Sequence, residues 1–582
     1  MDSNSFYFNR CKEAALSEDT YDYITDFSLS DFIGLGEAFC YANVDEMLNI
    51  IYLEEGGMPD WGADAFQYQS IPKLYGLMQI TGSGSRTGPD ALIDSGILQV
   101  KREPLNLTGQ GCVICFIDTG IDYTEEAFLD AEANSRILAI WDQTIQTGTP
   151  PEGFLYGSEY RREEINEALR AERPYEIVPS RDENGHGTIM AALAAGSANL
   201  NAQQPTGAAS EADIVVVKLK ECKQYLRNML LVPDGVPAYQ ENDILLAVKY
   251  ADRFAEVLSR PVIICLGIGT NMGDHAGTSV LSRYLNTVAV RRSRAVVVCG
   301  GDEGNTAHHY RGRLSYDEEA FSPSDESSRN VEVRVGEGCS GFVLECWSSL
   351  PDTLQVGVRS PGGERIPPLR IGSGQTVSYR LVYEDTIVTL GATLVEPASG
   401  EQLLRFWLRQ PTPGIWTFEV NSPGTLYNGT FDMWLPITEF LDAPVYFLRP
   451  DPYITITEPA MAASVITVTS YNPSNSSFAI DSGRGYARTG IIRPDLAAPG
   501  ENVATIRGGQ SGSPLAAAIT AGAVAQLFQW AVVEKRSLYA ESRELKSYLI
   551  RGASRTDDRS YPNREWGYGR LQIAGVFERL RE

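Results

Sequence analysis

Residues 515–533 carry no charge and are apolar on every side of a helix, so this segment has to be buried, either in a membrane or at the centre of a protein. Its length suits a membrane span. Thr520, Gln526, Gln529 and the many alanines suit a closely packed core helix better. The helix is entered through Gly508-Gly-Gln-Ser-Gly-Ser-Pro-Leu-Ala-Ala-Ala518, a glycine-rich stretch that displays hydroxyls at the edge of the core. The proline is at home there: in a first turn its fixed φ is already helical and its missing N–H would have had no partner. Ser513 or Ser511 is expected to cap the helix.

Layers are needed to bury such a helix. Between 93 and 310, strand-like apolar runs at 113–117, 214–218, 262–266 and 295–299 alternate with helical stretches such as 241–260. That alternation predicts a parallel sheet with crossover helices, whose functional residues stand at the carboxyl ends of strands. Asp118 and Asp302 each follow such a strand. Residues 325–445 change character, with short runs such as Val331-Glu-Val-Arg-Val335 and Leu404-Arg-Phe-Trp-Leu408 between Gly/Pro turns, which predicts an all-β sandwich. Residues 1–90 are mixed, with a strand at 38–42 and a strand or short helix at 47–53. They end in the polar stretch Thr81-Gly-Ser-Gly-Ser-Arg-Thr-Gly-Pro89.

Three motifs stand in chain order: Ile117-Asp-Thr-Gly-Ile-Asp122, Asn184-Gly-His-Gly-Thr188 ahead of the small-residue run 190–196, and Gly512-Ser-Pro514 opening the apolar helix. Together they resemble the subtilisin-like serine proteases, with Asp118 and His186 as two members of a catalytic triad. In that family Gly-Thr-Ser precedes an Ala-rich helix, with a glycine eight residues beyond the serine. Counting back from Gly522 gives Pro514, with Ser513 as the alternative nucleophile and Ser511 behind it. Asp302-Glu-Gly-Asn305 resembles the oxyanion-hole segment, where an asparagine normally stands at 302. Cys265-Leu-Gly267 resembles the strand lining the substrate cleft, and Arg493-Pro-Asp-Leu-Ala-Ala-Pro-Gly500 a conserved-type turn of the same fold. Ile71-Pro-Lys-Leu-Tyr-Gly-Leu-Met78, Tyr156-Gly-Ser-Glu-Tyr160 and Glu303-Gly-Asn-Thr-Ala-His-His-Tyr310 narrow the resemblance to the Csp proteases of spore-forming clostridia.

The resemblance implies an α/β fold: a subtilisin-like parallel-sheet core at 91–322 and 446–582, an N-terminal α+β prodomain at 1–90, and an inserted all-β jelly roll at 323–445. It implies a prodomain that packs on the core and, in active relatives, is cut in the linker. It also implies a role in germination beside a partner protein, either an active Csp protease or the cortex-hydrolase zymogen it processes. Two substitutions bear on the chemistry. With proline at 514 there is no hydroxyl for His186 to activate and no backbone N–H to offer an oxyanion. An ionised Asp302 only accepts hydrogen bonds and repels the charge that an asparagine amide stabilises. In subtilisin itself, loss of the nucleophile lowers kcat by about 10⁶ and loss of the asparagine donor by about 10²–10³. An inactive homologue that stays in one piece is therefore expected. An endopeptidase using Ser513 or Ser511, and an inert protein whose cleft holds a peptide such as its own prodomain tail, are the alternatives.

Composition excludes other classes. A net charge of −26 over 582 residues opposes binding to nucleic acid or anionic membranes. The first residues, Met1-Asp-Ser-Asn-Ser-Phe-Tyr-Phe-Asn-Arg, hold no apolar core of a secretory signal, so a cytoplasmic protein, packaged in the spore, is expected. Nine cysteines without such a signal read as buried thiols, including the pair Cys112 and Cys115 inside a strand. No cofactor or metal site is read from the sequence.

Overall fold

The computed structural model describes residues 3–26, 40–54, 68–82, 90–197, 206–314, 328–368 and 371–581. At its N-terminus a helix, α1 (Ser3–Leu16), lies on a three-stranded antiparallel sheet of β1 (Thr20–Thr25), β2 (Cys40–Asn43) and β3 (Asn49–Glu54), in the order β1-β3-β2. The segment expected at 47–53 is therefore a strand. Ala38 lies outside the described residues, as do 83–89 of the polar linker. Contrary to the expectation of nine thiols, Cys11 of α1 and Cys40 of β2 are joined by a disulfide, their Cα atoms 4.9 Å apart. The other seven are free and buried. The two are 29 residues apart and become neighbours only through packing of α1 on the sheet, which no local pattern announces.

Two short strands follow, β4 (Leu74–Leu77) and β5 (Thr81–Gly82), both paired outside the prodomain sheet. The core then begins with β6 (Val113–Asp118), β7 (Ile137–Asp142), β8 (Ser158–Arg161), α2 (His186–Ala195), β9 (Asp213–Lys218), β10 (Tyr239–Gln240), α3 (Glu241–Leu258), β11 (Val262–Leu266), β12 (Ile268–Gly269), α4 (Val280–Ala289) and β13 (Arg294–Cys299). All six residues of β6 and all five of β11 are buried, which is why these strands read as unbroken apolar runs: both faces of a parallel sheet are covered.

An antiparallel sandwich interrupts the core. Its strands are β14 (His309–Arg313), β15 (Ser328–Val335), β16 (Gly341–Ser348), β17 (Gln355–Arg359), β18 (Arg365–Ile366), β19 (Gln375–Arg380), β20 (Ile387–Thr393), β21 (Gln402–Arg409), β22 (Gly414–Asn421), β23 (Thr430–Trp434) and β24 (Val445–Phe447). They form a six-stranded sheet, β14-β23-β16-β21-β20-β19, facing a five-stranded one, β18-β17-β22-β15-β24. Val331, Phe342, Phe406, Trp416 and Phe418 fill the space between. The boundary read at 322/323 falls outside the described residues. The sandwich in fact recruits β14 ahead of it, where His-Tyr-Arg-Gly-Arg gives no apolar alternation, and runs on through Phe447.

The core resumes with β25 (Ile466–Asn472), β26 (Ser477–Phe478), β27 (Leu496–Pro499), β28 (Val503–Thr505), β29 (Gly508–Ser511) and α5 (Ser513–Phe528). These complete a nine-stranded sheet, β26-β25-β13-β11-β6-β9-β7-β8 with β27 beside β25, parallel except for β8 and β26. Every residue of α5 and of α2 is buried. The apolar helix from Ser513 to Val533 is long enough for a membrane, yet 83% of its most apolar window is buried inside the protein. Gly522 lets α5 approach the neighbouring backbone: a Cβ there would lie 2.8 Å from Ala194 O.

The prodomain is fastened to the core by a buried charge. Lys223 Nζ donates to Asp22 Oδ1 at 2.6 Å, while Gln240 Nε2 and Asn242 Nδ2 donate to Oδ2 at 2.6 and 3.1 Å. All four side chains are buried. Asp22→Ala strands a buried ammonium and two amides, and is expected to destabilise the chain by about 3–5 kcal/mol, since removing one partner leaves the other charge uncompensated. Denaturant titration followed by tryptophan fluorescence measures it; a loss below about 1 kcal/mol would mean that water or another group takes over.

Candidate active site

Asp118 is the last residue of β6 and His186 the first of α2, so a strand end and a helix start bring them together. His186 Nδ1 lies 2.8 Å from Asp118 Oδ1, both side chains buried. The same Oδ1 accepts from the Thr119 backbone N–H at 2.7 Å, and the Thr119 hydroxyl accepts from Gly187 N–H at 3.0 Å, which ties the strand end to the helix. The other ring nitrogen, Nε2, lies 3.0 Å from the carbonyl oxygen of Met78. The two contacts, with the Asp118 carboxyl group and a carbonyl oxygen, suit a ring that donates from both nitrogens, which is its charged form. Burial opposes that charge, but Asp118 and the Met78 carbonyl outweigh it and hold His186 above the usual histidine range. With Nε2 engaged by that carbonyl, the nitrogen that would serve as general base is not turned toward a free hydroxyl.

Met78 belongs to the prodomain tail, which runs through the cleft. Leu74–Leu77 pairs antiparallel with β10 on one side (Tyr75 opposite Tyr239) and with β12 on the other (Leu77 opposite Ile268). Met78 N–H donates to Gly267 O at 2.9 Å, so of the segment 265–267 it is Gly267 that meets the tail, whereas Cys265 and Leu266 lie inside β11, paired on both sides with β6 and β13. Gly267 has to lack a side chain: a Cβ would stand 2.5 Å from Met190 Sδ and 2.8 Å from His186 Cε1. Beyond Met78, Gln79 N–H donates to Asp302 Oδ2 at 3.1 Å, and Thr81–Gly82 pairs with Gln510 and Ser511 of β29. A side chain on Gly512 would collide with Gln79 O. The tail is thus continuous past His186, Asp302 and the start of α5.

Pro514 is the second residue of α5. Ser513 precedes it, and both of its donors are taken by Asp302: N–H to Oδ1 at 2.9 Å and hydroxyl to Oδ2 at 2.9 Å. Ser511 Oγ accepts from Asn502 N–H. The capping expected from Ser513 or Ser511 is therefore absent. Gly512 occupies the cap position, and the distant Asp302 supplies the acceptor that a neighbouring hydroxyl would have supplied. Burial pushes the Asp302 carboxyl up to about 7, with the nearby Glu439 carboxylate adding to it and the hydrogen bonds from Ser513 and Gln79 holding it down. Met78, Gln79, Thr119 and Glu439 were not singled out from the sequence as site residues. The run Leu74-Tyr-Gly-Leu77, a short apolar stretch with a glycine for close approach, was the available signal.

The subtilase family model matches residues 109–330 and 453–569, flanking the sandwich. This chain is a subtilase. The structure of the Clostridium perfringens CspB protease is 31% identical over 84% of this subtilase and 99% of that chain, with a TM-score of 0.73, which makes it a Csp-type member. Sphericase is 15% identical over 82% of the subtilase and 97% of that chain (TM-score 0.39). MycP1 from Mycobacterium smegmatis is 13% identical over 87% and 88% (TM-score 0.34). Both are too distant to inform the site. No curated protein sequence matches.

The raised Asp302 gives a pH signature. Its folded-state value of about 7 exceeds the unfolded carboxylate value, so ionisation disfavours the fold, and stability falls as pH rises between the two values. Asp302→Asn removes that charge. Its melting temperature relative to the unaltered subtilase is expected to climb from pH 4 to pH 7 and level off above; an offset independent of pH would refute the assignment.

Proposed function

We propose that this subtilase binds rather than cuts: a Csp-type pseudoprotease, closed by its own prodomain tail, that regulates a partner protease in spore germination. The observation that carries this reading is the occupant of the space facing His186 Nε2. It is the Met78 carbonyl, while position 514 offers a pyrrolidine ring and the one adjacent hydroxyl, on Ser513, donates to Asp302. Acyl transfer requires a nucleophile, a free general base and an oxyanion donor; here proline stands at the nucleophile position, aspartate at the oxyanion position, and His186, though present, faces the Met78 carbonyl.

Retention of fold and prodomain supports a binding role, because proline suits the second position of a helix and the cleft edges remain paired. The germination role, with an active Csp protease or the cortex-hydrolase zymogen as partner and the spore as its place, rests on likeness to the Csp group and on fold-level analogy.

Freshly made protein is expected to run as one polypeptide of 63.8 kDa and to resist a fluorophosphonate probe. A self-cleaved pair that disappears in Asp118→Ala, or labelling that disappears in Ser513→Ala, would establish an active protease instead. Deleting the gene in the producing organism is expected to alter zymogen processing, and unchanged processing with unchanged germination removes the regulatory role.

A further inference from the structure

The inserted sandwich contains a cavity of about 380 Å³, within the range of small-molecule sites. Protein interiors rarely leave gaps larger than a water molecule. Here Leu354, just ahead of β17, and Val356 of β17 face Leu390, Leu404 and Phe406 from the other sheet, all buried, yet the space between them is not filled. Among the described residues that line it none is charged. The amide of Gln402, in the wall, is already engaged: its Oε1 accepts from Leu354 N–H at 2.6 Å and its Nε2 donates to Leu354 O at 3.1 Å. The two sheets end differently on this side. One ends at the two-residue strand β18, whereas the other continues to β19, five of whose six residues are exposed.

The wall strand β21 has a second face. Side chains alternate along a strand, so Gln402, Leu404 and Phe406 point into the cavity while Leu403, Arg405 and Trp407 point away. The Arg405 guanidinium lies over the ring of Tyr68, 5.2 Å from its centroid, and the Tyr68 hydroxyl donates to Glu345 at 2.8 Å. Glu345 also accepts from the Gly273 backbone N–H of the core at 3.0 Å. Tyr68–Ser70 is the turn immediately ahead of the tail strand β4. One strand therefore separates the cavity from the point where sandwich, core and prodomain tail meet.

We infer that the cavity is a binding site for a small, uncharged, largely apolar molecule, and that β21 transmits its occupancy to the tail in the cleft. The chemistry follows from the lining: apolar walls reward apolar surface, and none of the described residues there compensates a charge. The inference goes beyond the pseudoprotease reading and holds whether or not the cleft turns over substrate.

The test uses the full chain and Nile red, a neutral apolar dye, with hydrogen exchange of residues 74–82 followed at saturation. Expected are one saturable site, weakened by about tenfold or more in the cavity-filling variant Leu404→Trp, and a changed exchange rate at 74–82 on binding. Leu390→Phe fills the same space from the neighbouring strand, and thermal melting reports whether each variant folds. A neutral alkyl diazirine, photolysed with the unaltered chain, is expected to label peptides from β17, β20 and β21. Labelling elsewhere only, dye affinity indifferent to filling in a folded variant, or exchange at 74–82 unmoved at saturation each overturns the inference.

Discussion

Two short strand edges, Tyr239–Gln240 and Ile268–Gly269, face each other across the cleft with backbone groups that need partners, and the segment Leu74–Leu77 satisfies both. Main-chain pairing of this kind is indifferent to most side chains, so it fixes where the tail lies without demanding a distinctive sequence. The rest of the site is arranged around that strand. Met78 reaches His186, Gln79 reaches Asp302, and Thr81–Gly82 goes on to pair with the strand that leads into α5. The buried Asp22–Lys223 contact and the Tyr68–Glu345 hydrogen bond hold the prodomain at two further points.

The two departures at the catalytic centre are physically compatible with each other. The start of α5 needs an acceptor for the Ser513 N–H. Asp302 supplies it, accepting from the Ser513 N–H and hydroxyl, and these bonds offset part of the cost of burying its carboxyl group. A carboxylate that would oppose an oxyanion instead serves the helix start. In the same way the Asp118–His186 pair remains intact, with its outer nitrogen facing the tail.

Much of the fold was legible because burial writes itself into composition. The five apolar residues that lead to Asp118 in a doubly covered strand and the uncharged helix α5 leave few alternatives, and the motifs at 117–122 and 184–188 placed Asp118 and His186 at a strand end and a helix start. What stayed hidden depends on partners far along the chain. Asp302 is 211 residues from the Ser513 that it satisfies, so local capping rules pointed to the wrong group. Strand β14 carries Arg311 and Arg313 and pairs with residues 430–434, so its membership of the sandwich is set by hydrogen bonds rather than by alternation. Cys11 and Cys40 meet through tertiary packing alone. A tail in the cleft was legible only as one alternative, and its register on the two edges not at all, since backbone pairing leaves little trace in residue type.

In the uncut chain proposed above, covalent attachment changes what any outside peptide faces at this cleft. A ligand joined to its receptor on both sides of the bound stretch never diffuses away, and its local supply is roughly millimolar or more. A free competitor has to exceed that supply or await a transient detachment of residues 74–82. The cleft is therefore reserved for the chain itself, and exchange at this surface is governed by how often the tether loosens rather than by how much of a rival is present.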